Sequence, residues 1–121
     1  MKNKTIKLSF QHAWQGVRQT AARERNFRVH IYLAILAVIL CIVFRVDSYH
    51  FLWVVFSIFF VLCMELFNTA VEALTDLICG SKRHPLAKIA KDAAAAAVLL
   101  ASLQAVIVAI AVASSVLKRY M

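Results

Sequence analysis

Residues 51–76 read FLWVVFSIFFVLCMELFNTAVEALTD, an apolar run that passes directly into a polar helix face. From Phe51 to Met64 there is no charged side chain. Then Glu65, Asn68, Glu72 and Asp76 recur at offsets of 0, 3, 7 and 11. At about 100° per residue they fall within a sector of roughly 80° on one side of a helix. Carboxylates in or beside a bilayer are expensive to keep, and such residues mark functional sites by default. The stretch therefore predicts a membrane-spanning helix whose exit carries a reactive face.

Two further apolar runs flank this one. Val29–Phe44 lies between Arg28 and Arg45, and Ala93–Leu117 holds 25 uncharged residues. The first run rises only about 24 Å as helix, so its arginines must snorkel or the helix must begin earlier. The last is long enough to span with tilt. The expected fold is an all-α integral membrane protein with three transmembrane helices and an N-terminal amphipathic surface helix. The spans are expected at about 28–47, 50–79 (including a cytoplasmic extension) and 90–117. Gly80 ends the second, and Pro85 supports a break before the third. The surface helix, at about 5–24, shows Ile6, Phe10, Ala13, Trp14, Val17 and Ala21 at mostly three- and four-residue spacing. That stripe fits either the inner membrane surface or packing against the bundle. The alanines of 93–97 would let helices approach closely around the polar face.

Composition agrees with a single membrane domain over 1–121. Apolar residues make up 63% of the chain and the mean hydropathy is +0.77, beyond soluble globular usage. The net charge of +8 brackets the apolar runs instead of forming a groove, so no nucleic-acid partner is expected. Anionic headgroups or a nucleoside triphosphate suit it better. Cys41, Cys63 and Cys79 are odd in number and imply no disulfide scaffold. No cleavable signal peptide is expected. Residues 1–28 carry seven Lys or Arg, and 81–92 add Lys82, Arg83, Lys88 and Lys91. The positive-inside bias places both segments in the cytoplasm, with the C-terminus external.

With only Gly16 and Gly80, the chain has no Walker or kinase glycine-rich loop. Its polar inventory is Glu24, Glu65, Glu72, Asp76 and Asp92, with Lys88 and Lys91. That set suits metal-assisted phosphoryl transfer: carboxylates hold Mg²⁺, lysine neutralises phosphate, and a further carboxylate takes a proton from an alcohol. Each residue also has a plainer reading. Glu65 could pair with a buried base, Asp76 could cap the helix exit, and Lys88 could be a positive-inside anchor. Lys91 and Asp92 could anchor a helix start. Trp14 fits an interface anchor as well as a nucleotide contact, and Gly16 fits a packing notch.

Glu65-Leu66-Phe67-Asn68-Thr69-Ala70-Val71-Glu72 with Asp76 resembles the signature of the small bacterial diacylglycerol kinase and undecaprenol kinase family. AKDAAAAAVLLA, residues 90–101, resembles its second signature. Trp14, Gly16, Arg18, Glu24, Asn26, Phe27 and Arg28 resemble its N-terminal region. The resemblance implies a homotrimer with cytoplasmic-side active sites between subunits, Mg²⁺ as cofactor, ATP as donor and a membrane lipid as acceptor. It implies that Glu65 is the general base and that Glu24 and Glu72 hold Mg²⁺. Asn68 would fix the metal or reacting groups, and Lys91 would stabilise the transferring phosphoryl. Asp92 and Asp76 would organise the nucleotide and their neighbours, with Trp14 and Gly16 at the nucleotide's edge. His30 stands where diacylglycerol-using relatives tend to carry an acid. Glu24-Arg25-Asn26-Phe27-Arg28-Val29-His30 resembles the Gram-positive branch, which favours undecaprenol over diacylglycerol as acceptor. A small multidrug transporter would need a fourth span, and a holin-like peptide would not need the acidic face.

Overall fold

The computed structural model describes residues 5–121, so Lys2 and Lys4 of the basic N-terminal segment lie outside it. Four α-helices follow in order: α1 (Ile6–Arg23), α2 (Arg25–Val43), α3 (Ser48–Cys79) and α4 (Pro85–Arg119). Three of them, α2, α3 and α4, are long and apolar enough to cross a membrane, and α1 is not. The protein is an all-α, multi-pass membrane protein. At 1.5 Å per residue α2 spans about 28 Å, α3 about 48 Å and α4 about 52 Å. α3 and α4 are thus much longer than a hydrocarbon core of about 30 Å is thick.

The helix ends follow local chemistry. Thr5 caps α1 by accepting from the Leu8 N–H, and Asp47 caps α3 by accepting from the His50 N–H. The His50 ring sits 2.7 Å from the other Asp47 oxygen, and these hydrogen bonds hold the Asp47 carboxyl below its usual pKa. Gly80, at φ 59°, ends α3 and donates its N–H to Asp76. An L side chain rarely adopts that φ, so the glycine is required by the turn. Pro85 occupies the first turn of α4, where its missing N–H is harmless. The third spanning helix therefore begins at Pro85, about five residues before the place expected from the apolar run. The first spanning helix runs from Arg25 to Val43, which supplies the length that Val29–Phe44 lacked.

α3 and α4 form a long antiparallel hairpin, α2 lies against α3, and α1 rests on α2 and α3. The face that α4 turns inward includes Ala94, Ala97, Ala101 and Ala105, all buried or half-buried, with Ala101 fully inaccessible. Lipid tails are as apolar as leucine, so association in a bilayer depends on such close approach more than on burial of large side chains. At the far end, Cys41, Val54 and Val112 form a small core with Ala37, Val46, Phe51, Ile58 and Val108 packed on it. Arg119 donates from its two terminal nitrogens to the carbonyls of Arg45 (2.8 Å) and Phe44 (2.6 Å). The C-terminus and the α2–α3 turn thus share one end of the bundle. At the other end, Phe27 is 2% exposed and packs into the corner where α1 turns into α2. Most large apolar side chains point outward, including Leu33, Ile35, Leu52, Phe59, Leu100 and Ile107, as befits helices solvated by lipid.

Candidate active site

The α1–α2 corner is a single extended residue, Glu24 (φ −108°, ψ 114°). It is at once the C-cap of α1 and the N-cap of α2, yet its carboxylate makes no capping hydrogen bond. The neighbouring Arg28 closes the end of α1 instead, donating Nη1 to the carbonyls of Ala21 (2.8 Å) and Ala22 (3.1 Å). This frees the Glu24 side chain to face inward. It lines a cavity of about 150 Å³ with Asn26, Glu65, Asn68, Thr69, Ala95 and Val98. Three helices and one corner thus supply the walls, and the alanine of α4 leaves the room.

Glu65 is the most deeply placed charged group, with its residue only 5% exposed. Its Oε1 lies 3.3 Å from His30 Nε2 on α2. Its Oε2 is buried and has no hydrogen-bond partner among the described residues. A buried orphan oxygen in a native fold calls for an explanation, and an acceptor poised for a substrate proton is one. One turn along α3, Asn68 donates Nδ2 to Glu72 Oε1 at 2.9 Å. Asn68 therefore joins the Glu65 cavity to the next carboxylate of the same face.

The polar face continues into a second, wider cleft at the α3–α4 turn. Asp76 Oδ1 accepts from Lys91 Nζ at 2.7 Å, and Lys88 Nζ pairs with Asp92 Oδ2 at 2.6 Å. Asp76, Lys88 and Lys91 line this cleft of about 760 Å³ together with Thr75, Ser81, Lys82, Arg83 and His84. Its basic rim suits a polyanion.

The structure thus brings Glu24, Glu65 and Asn68 into one cavity, attaches Glu72 to it through Asn68, and sets Asp76 and Lys91 in the adjoining cleft. Asp92 pairs outside both. Trp14 is exposed on α1, and Gly16 has open space where a Cβ would stand; neither lines the Glu65 cavity or the α3–α4 cleft. Asn26 and Thr69 are wall residues that periodicity alone did not single out. His30 was noticed only as a departure, and its contact with Glu65 required the packing of α2 on α3.

No group of three His, Cys, Asp or Glu side chains forms a metal cluster among the described residues. The available donors are the carboxylate and amide oxygens of Glu24, Asn68 and Glu72. This fits Mg²⁺, which is held by one or two carboxylates plus substrate phosphates and waters instead of a closed protein cage.

The comparisons with known proteins agree with this architecture. Residues 11–113 match the family model for prokaryotic diacylglycerol kinase. The chain is 41% identical over 101 residues to a diacylglycerol kinase of Synechocystis sp., covering 84% of this chain and 58% of that protein. It is 46% identical over 92 residues to an undecaprenol kinase of Bacillus subtilis, covering 74% of this chain and 72% of the relative. With a diacylglycerol kinase of Escherichia coli the identity is 36% over 96 residues, or 79% and 78% of the two chains. The matched span contains all four helices in whole or in large part, and with them the Glu24–Glu65–Asn68 cavity: the chain belongs to the prokaryotic diacylglycerol kinase family.

Proposed function

We propose that this protein is an ATP-dependent lipid kinase that transfers the γ-phosphoryl group to the primary hydroxyl of undecaprenol. The observation that carries the proposal is Glu65, buried in a spanning helix with one carboxylate oxygen unpartnered at a polar cavity. An acceptor that enters from the bilayer reaches this depth without leaving lipid. The donor's phosphates approach from the basic cleft at the α3–α4 turn.

In this reading Glu65 Oε2 takes the hydroxyl proton while the hydroxyl oxygen bonds to the γ-phosphorus. The bond from that phosphorus to the β–γ bridging oxygen breaks, and ADP leaves with the electron pair. Glu24 and Glu72 would hold Mg²⁺, which supplies charge neutralisation along the phosphates. Asn68 orients Glu72 through its amide. Lys91, after release from Asp76, meets the phosphoryl charge, while Asp76, Asp92, Trp14 and Gly16 border the nucleotide. Little covalent chemistry is asked of the protein in such a transfer. Positioning and electrostatics in a water-poor site carry it.

A homotrimer with its sites between subunits would cover part of the exposed apolar surface of α2–α4 and bring α1 of one copy near the cleft of another. The excess of Lys and Arg at the N-terminus and in 81–91 supports a cytoplasmic site and an external C-terminus. Undecaprenol is favoured by the 46% identity to the Bacillus subtilis undecaprenol kinase. Diacylglycerol is the second reading, favoured by the Synechocystis relative. Transfer from γ-labelled ATP in mixed micelles, with each lipid at matched surface concentration, separates them. Strong Mg²⁺-dependent labelling of undecaprenol alone supports the first reading, and labelling of diacylglycerol alone replaces it with the second. Labelling of neither overturns the kinase proposal.

A further inference from the structure

Among the described residues, His30 makes the one ion-pair contact with Glu65, and it does so across a helix interface. The two residues come from different elements, α2 and α3, and both are shielded: their side chains are 25% and 7% exposed. The imidazole Nε2 stands 3.3 Å from the carboxylate Oε1, within ion-pair distance. The contact uses Oε1 alone and leaves Oε2 without a partner. A tie whose purpose was only to join two helices would gain by satisfying both oxygens, since a buried acceptor left open is costly. The asymmetry is what an oriented base requires. His30 also lies one turn after Asn26 on α2, and Glu65 one turn before Thr69 on α3, and both of those neighbours wall the cavity. The contact therefore lies one helical turn from the wall residues Asn26 and Thr69.

We propose that His30 is a positioning residue for Glu65: its Nε2, packed against Oε1, restricts the carboxylate's rotation and leaves Oε2 as the atom that receives the acceptor's proton. The inference rests on the reading of Glu65 as general base. Without that contact, the carboxylate can swing about its side-chain torsions. A misplacement of about 1 Å at a reacting group is worth about 100-fold in rate. The effect belongs to the chemical step, because His30 does not line the cleft at the α3–α4 turn.

The test is a double-mutant cycle on the full chain in mixed micelles. It uses His30→Phe, His30→Gln, Glu65→Gln and the double variant His30→Phe/Glu65→Gln, with size-exclusion profiles to confirm folding. His30→Phe is expected to lower kcat about 100-fold with the KM values for ATP and lipid within about threefold. His30→Gln, which keeps a polar nitrogen near the same place, is expected to recover at least tenfold of that loss. In the Glu65→Gln background, His30→Phe should produce no further loss, because its role acts through the carboxylate. Full activity in His30→Phe, multiplicative losses in the double variant, or failure of Gln to rescue would each overturn the positioning role while leaving Glu65 as base. An active Glu65→Gln would instead remove the base itself. If His30→Phe does not fold, the Gln variant decides: a kcat within tenfold of the parent supports the role, and a rise in KM alone refutes it.

Discussion

Replacing Asn68 by Asp changes one atom type and almost no volume, yet it reverses the electrostatics of the site. Asn68 Nδ2 stands 2.9 Å from Glu72 Oε1 as a donor, and the variant would put a carboxylate oxygen there. At that 2.9 Å spacing and an effective dielectric of about 20, two unit charges repel by about 6 kcal/mol. The side chains are only half-buried and one can rotate away, so about half of this is relieved by motion and solvent. A residual of about 2–3 kcal/mol corresponds to roughly 30- to 150-fold in kcat/KM for MgATP. The alternative relief is a proton shared between the two carboxyls, which removes a charge from Glu72 and weakens its hold on a cation. Either route predicts that Asn68→Asp loses activity, and the unrelieved repulsion of the first route also lowers its melting temperature in detergent. The assay is initial-rate transfer across a matrix of Mg²⁺ and ATP concentrations, and part of the loss should be recovered at high Mg²⁺. A kcat/KM within threefold of the parent at all Mg²⁺ concentrations would show that Asn68 and Glu72 do not act as one unit.

Glu65→Gln preserves shape and removes the proton acceptor, so single-turnover phosphorylation should fall about 10²- to 10⁴-fold with nucleotide binding retained. Unchanged single-turnover rates would refute the base. Ala101→Leu inserts three heavy atoms at a position that has no accessible surface, where overpacking costs about 1–3 kcal/mol, so the melting temperature in detergent should drop. A variant as stable as the parent would mean that α3 and α4 do not pack closely there. Asp47 has its pKa lowered in the fold by His50, so its stabilising effect is complete above the ordinary aspartate pKa and is lost as pH falls through the depressed one. Asp47→Asn should accordingly be less stable than the parent near neutrality, with the gap closing under acid titration below about pH 4. A gap that stays constant across that range would exclude the ionised cap.

Much of this architecture is written in short-range pattern. Apolar runs of membrane length, Gly80 at a positive φ and Pro85 at a helix start are local demands, which the backbone meets wherever the chain is placed. The offsets of Glu65, Asn68, Glu72 and Asp76 put them on one face for the same reason, since helical geometry is fixed by 3.6 residues per turn. The helix starts were less legible. Arg25–Arg28 and Pro85–Asp92 carry charged residues and read as flanks, but both segments belong to the long helices α2 and α4. Arg28, within α2, sets its guanidinium on the carbonyls of Ala21 and Ala22.

The sequence alone determined that this chain makes spanning helices with an acidic face at one exit, because hydropathy and helical periodicity are properties of consecutive residues. Only the tertiary structure decided which of those acids share a cavity. Glu24 and Glu65 are 41 residues apart and meet because α1 turns at Glu24 and α2 lies on α3. Lys91 comes to Asp76, and not to Glu65, because the α3–α4 hairpin fixes the register between antiparallel helices. The contact of His30 with one oxygen of Glu65 belongs to the same class. It depends on the distance between two helices, and no spacing within either helix encodes that distance.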